Sequence, residues 1–152
     1  MVGGAVYEHL NMVPQWSAAP PASLSMFQGE YGINQGLFWM IIHPVIIFLF
    51  LVTIVLHWKT ARRKNLVTTL IVYIIILVIT SIYFVPELIR ITTTPFTTVA
   101  DAELTKRAGL WEILSIARLI VLLVLSVILF VGLTKQVNKY ELDRKLEREP
   151  IV

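Results

Sequence analysis

The chain has 152 residues, of which 57% are hydrophobic and 15% charged, and its formal net charge is +3. Soluble domains carry about 25% charge, so this balance, with long apolar runs, excludes an ordinary soluble domain and points to an integral membrane protein whose first partner is the lipid bilayer. The absence of cysteine excludes disulfides, thiolate catalysis and cysteine-ligated metals, and the modest basic excess sits where a membrane protein places it, so no nucleic acid is implied.

Residues 1–36 contain no Lys or Arg and become Pro-rich at Pro14, Pro20 and Pro21. They lack the basic start and long apolar core of a signal peptide. Val2 to Tyr7 reads as the last turns of an apolar helix that begins upstream, or else as part of a plain extracytoplasmic tail. Residues 37–57 are the first complete transmembrane helix, interrupted by His43 and Pro44; the proline removes a backbone donor and is expected to kink it. Lys59, Arg62, Arg63 and Lys64 form a basic loop after it. Residues 66–86 are the second span, closed by Pro86. Its β-branched run would favour strand in water, but lipid requires every backbone group to bond internally, which selects helix. Residues 87–109 read as a Thr-rich loop with a short helical lead from Asp101. Residues 110–134 are the third span. Residues 135–152 read as a charged cytoplasmic helical tail, with Glu141–Lys145 and Lys145–Glu149 as i,i+4 pairs.

The fold class is therefore an all-α membrane protein, a single helical bundle with three complete transmembrane helices, and four if an upstream helix ends near Tyr7. The basic loop and tail place both cytoplasmic, with 1–36 and 87–109 outside, so the C-terminus is cytoplasmic in a multi-pass plasma (inner) membrane protein. Association of identical copies stays open.

Charge inside the spans marks the candidate site. Arg118 lies within the third span, and a charge there costs roughly 2.5–3.5 kcal/mol on insertion scales, so it should face protein or a wet cavity. Trp111, Ser115 and Arg118 share one helical face at i, i+4 and i+7; Trp39 and His43 share another, and Tyr83 and Glu87 a third. Counted from the outer ends, His43, Arg118 and Thr80 fall at one depth. These stripes, with Glu112 at the start of the last span, would enclose an outward-opening polar pocket. Individually each has a plainer role: Trp39 and Trp111 as interface anchors, His43 as a packing residue, Glu112 as a partner of a helix dipole, Arg118 as half of an ion pair with Glu112 or Glu87. No metal-binding pair such as H-x-x-H is present.

Trp111-x-x-x-Ser115-x-x-Arg118, preceded by Tyr83-Phe84-Val85-Pro86-Glu87-Leu88, resembles the anthrone-oxygenase-like family of small membrane proteins. Gly3, Gly4, Tyr7 and Trp16 fit the end of that family's first helix and the Trp-bearing loop after it. Glu87 stands where Asn is common in the family, and Ser115 where Asn or His is common. The resemblance implies a four-helix bundle and, from a few fungal relatives, oxidation of anthrones to anthraquinones with neither metal nor flavin cofactor. On that footing a small apolar or aromatic ligand would stack on Trp39, Tyr83 and Trp111, beside Glu112 and Ser115. His43 or Glu87 would remove a proton as general base, and Arg118 would stabilise the resulting phenolate or enolate. The alternative is a non-catalytic structural or accessory subunit in which Arg118 is a packing ion pair. A transporter component is less favoured, because the inner half of the bundle offers no polar path.

Overall fold

The structure, a computed structural model, describes residues 1–60 and 62–134. All regular structure among them is helical: α1 (Val2–Asn11), α2 (Val13–Ser17), a 3-10 turn (Leu24–Phe27), α3 (Gln35–Leu56), α4 (Arg62–Ile79), a π-helical turn (Thr80–Phe84), α5 (Val85–Thr92) and α6 (Ala102–Thr134). The cytoplasmic helical tail expected over 135–152 lies outside the described residues.

Three rods are long and apolar enough to cross a membrane: Gln35–Leu56, Arg62–Thr92 and Ala102–Gly132. Only 6%, 17% and 11% of their most apolar stretches are buried inside the chain. So much exposed hydrocarbon on rods of 22, 31 and 31 residues fits lipid rather than water as the surroundings. The molecule is an all-α bundle of the integral membrane type.

The rods begin and end differently from the hydropathy boundaries, and local chemistry explains each case. α3 starts at Gln35 because the Asn34 side chain caps it, accepting from the Leu37 amide at 3.4 Å. Pro44 is accommodated inside α3. Pro86 does not end the middle rod. A regular helix would bring its ring against the carbonyl four residues earlier, but the π-helical turn just before it, with the Val85 amide bonding to the Thr80 carbonyl, relieves that contact and the helix runs on to Thr92. The loop expected over 87–109 is thus shorter. α6 starts at Ala102, where Asp101 Oδ1 accepts from the Leu104 amide at 2.7 Å.

Close packing is concentrated at one end of the bundle. The N-terminal segment is folded there, as a cap. Val13, Trp16 and Leu24 are buried against Phe84, Ile91, Leu104, Ala108 and Trp111. The Asp101 amide donates to the Pro20 carbonyl at 2.9 Å, and Pro20–Pro21 is a cis peptide bond. α1 packs against α6, α4 against α6, and α3 along α4. At the opposite end the chain turns between α3 and α4 through Trp58 and Lys59. There the Arg63 guanidinium lies 4.8 Å from the Trp58 ring centroid. Gly132 is buried against the Asn65 side chain, which takes the space a Cβ would fill.

Candidate functional site

The walls of the bundle enclose a cavity of about 880 Å³ between α1, α3, the middle rod and α6. Ile76, Leu77, Phe84, Leu88, Trp111 and Leu122 give it an apolar lining, and Glu8, His9, Trp39, His43, Tyr73, Thr80 and Arg118 bring polar groups to it. A second hollow, of about 650 Å³ near Pro21, Thr94 and Asp101, is a shallow groove on the cap that holds none of these groups.

Arg118 is the centre of a directed chain of hydrogen bonds. It lies 16 residues from either end of α6, roughly 24 Å along the helix from each. Its Nη1 donates to Thr80 Oγ1 at 3.1 Å and its Nη2 to Ser115 Oγ at 2.9 Å, one turn back on the same helix. Ser115, fully buried, is 2.9 Å from His9 Nε2. His9 Nδ1 is 2.8 Å from the Ala5 carbonyl, which can only accept, so that nitrogen carries the proton and leaves Nε2 to accept from the serine. Arg118, Ser115, His9 and Ala5 thus form one relay from α6 to α1. The guanidinium carbon also lies 4.3 Å from the Phe84 ring centroid, over its face. Phe84 is held by its own backbone: the Trp111 indole donates to its carbonyl at 2.9 Å.

Glu8, on the same α1, faces this cluster. Burial raises its carboxyl above the ordinary carboxylate value, while the Trp39 indole and the positive charge of Arg118 pull it back. Among the described residues the ion pair closer than 4 Å is Arg107 with Glu87, at 2.7 Å, so Glu8 and Arg118 share the cavity without contact.

Of the residues expected at a site, Arg118, His43, Trp39 and Trp111 line the cavity, and Ser115 stands directly behind Arg118. His43 is not at the depth of Thr80. Its Nδ1 meets the Tyr73 hydroxyl at 2.7 Å, seven residues along α4, or roughly 10 Å. Trp39 stacks on it, with centroids 5.6 Å apart. The polar groups therefore run as a line along the cavity wall. Depths counted from hydropathy boundaries put Arg118 beside Thr80, as their hydrogen bond shows, but set His43 too near them, because α3 and the middle rod do not end where hydropathy ends them.

The remaining three lie elsewhere. Glu87 binds Arg107 in the cap, joining α5 to α6. Glu112 accepts from the Ser17 hydroxyl at 2.6 Å, tying α2 to α6. Ten residues into α6, it is too far from the N-terminus to serve the helix dipole. Tyr83 is exposed on the far side of the π-helical turn. Arg118 is paired with neither Glu87 nor Glu112.

Glu8 and Tyr73 escaped the sequence reading. Ala5, Glu8 and His9 fall at i, i+3 and i+4, one helical face, but the helix expected here ends near Tyr7, short of Glu8 and His9, whereas α1 runs on to Asn11. Tyr73 is a single hydroxyl in a β-branched run. Set against protein-family models, curated proteins and solved structures, the chain matches none.

Proposed function

We propose that this integral membrane protein binds a small apolar or aromatic molecule in the cavity around Arg118, and that the chemistry it supports is oxygenase-like, of the kind the anthrone-oxygenase resemblance implies. The observation that carries the reading is the guanidinium itself. It stands in an apolar cavity, paired with no carboxylate within 4 Å among the described residues, and two of its five N–H groups are used by Thr80 and Ser115. A charge held this way in a low-dielectric space is suited to an oxygen that gains negative charge.

In this reading a planar ring lies against Trp39 and Trp111, and its carbonyl oxygen accepts from Arg118. His43 removes a proton from the activated carbon beside the ring, since Glu87 is committed to Arg107. The enolate meets dioxygen; one oxygen atom becomes the new carbonyl and the other leaves as water with the two hydrogens of the former methylene. The cap faces away from the cytoplasm of the plasma membrane, and the basic turn after α3 faces inward.

The test is turnover of an anthrone by purified full-length protein in air and under anaerobic conditions. Quinone that forms only with oxygen supports the reaction; no oxygen-dependent product sinks it. A structural role for Arg118 has its own support, because its bond to Thr80 and its place over Phe84 join α6 to the middle rod. That role requires Arg118→Met to lower thermal stability while ligand binding by the folded fraction is unchanged.

A further inference from the structure

Resting on the reading that this cavity binds a small molecule, we propose that Glu8 determines its specificity. Glu8 accepts a hydrogen bond from the ligand atom, or its neighbour, that Arg118 holds, so the site takes uncharged molecules bearing a hydroxyl or N–H and rejects anionic amphiphiles such as fatty acids.

Several polar groups of the cavity are already engaged. His9 is used by the Ala5 carbonyl and by Ser115. His43 Nδ1 and the Tyr73 hydroxyl are used by each other, and His43 Nε2 is the nitrogen left for the proposed base. The Thr80 hydroxyl donates to the Ile76 carbonyl at 2.7 Å and accepts from Arg118. Glu8 and Arg118 are left with capacity: a carboxylate with several lone pairs and a guanidinium with further N–H groups. Both line the same cavity, and they do not meet within 4 Å.

Their charges already balance. A carboxylate ligand would gain Arg118 but add a second negative charge near Glu8, in surroundings where like charges are poorly screened. A cationic ligand would meet the reverse problem at Arg118. An uncharged hydroxyl leaves the balance intact and satisfies both, its hydrogen going to Glu8 and its oxygen accepting from Arg118. The apolar lining then selects the hydrophobic body that carries the hydroxyl. Trp39, which stacks on His43, lines the cavity with Glu8 and Arg118.

Two matched probes test this: 2-naphthol, neutral with one hydroxyl, and 2-naphthoate, its anionic counterpart. Binding is measured by calorimetry on the full chain in nanodiscs at near-neutral pH, with empty nanodiscs as the blank. The expected result is a preference for naphthol of roughly tenfold or more, the scale of one charge-assisted hydrogen bond. Glu8→Gln should erase that preference, chiefly by tightening naphthoate, and Glu8→Asp should keep it. A naphthol-to-naphthoate ratio unchanged in Glu8→Gln overturns the proposal, as does equal binding of the two probes to the wild type, and either result leaves the cavity as a ligand site. No binding of either probe to the wild type overturns both. Thermal unfolding of each variant separates loss of fold from loss of selectivity.

Discussion

Ser115 links Arg118 to His9 and so joins α6 to α1. Replacing it with Ala leaves a buried guanidinium N–H and an imidazole nitrogen without their partner. That should cost about 1–3 kcal/mol in thermal unfolding. Arg107→Ala, which breaks a partly exposed pair in the cap, should cost under about 1 kcal/mol. If the two losses come out equal, the relay has no special weight. Glu8 gives a pH signature. Its folded carboxyl is raised above 4.5 by burial, so the native state holds its proton more tightly than the unfolded chain. Stability linked to Glu8 is present below 4.5 and is lost as pH rises through the raised value. The titratable side chains that line the cavity with it are Arg118 on α6, His9 on α1, His43 on α3 and Tyr73 on α4. Glu8→Gln should therefore gain on the wild type as pH increases through that window, and parallel stability curves would contradict the assignment. Arg118, Ser115 and Trp111 were legible from their i, i+4, i+7 spacing, since a membrane helix keeps its period whatever surrounds it. Glu8 was not, because its helix is short and the role of its carboxylate depends on a partner more than a hundred residues away.

The π-helical turn is the element that reconciles Pro86 with a continuous middle rod. It inserts one residue relative to a regular helix, leaving Thr80 directed at Arg118 and the Phe84 carbonyl at Trp111. In a Pro86→Ala background, where no ring needs the turn, deleting exposed Ile82 should convert it to plain α-helix and keep both flanks in register. Deleting exposed Ile75, in regular helix, should rotate everything beyond it by roughly 100°. The comparison is the yield of monodisperse protein in detergent, expected to be near wild-type for the first deletion and strongly reduced for the second. The rods themselves were legible as long apolar runs. Their ends were not, because a proline tolerated by a π-turn and a helix that continues from the membrane into a cap leave no mark on hydropathy. The cap was equally hidden. Its core sets Trp16 against Trp111, 95 residues away, and Trp16→Ala there should cost about 3–5 kcal/mol.

At the scale of the whole molecule, the exposed apolar rods explain both the membrane setting and the sparse contact between α3 and the rest. α3 needs little packing against protein because lipid takes its surface, and a cavity can persist beside it. The proposed orientation, with the cap outside, rests on the basic turn after α3. The chain has no cysteine, so single replacements report cleanly. An impermeant thiol reagent should label Thr97→Cys in intact cells and Lys59→Cys only after permeabilisation; the opposite pattern would invert the topology. Arg118 is proposed to hold a ligand in that cavity. The most direct test is titration of the protein with a planar aromatic ketone, read by quenching of the tryptophans that line the cavity, in the wild type and in Arg118→Gln. Saturable quenching weakened roughly tenfold or more in the variant is the expected result. Equal affinity in the two proteins would contradict it.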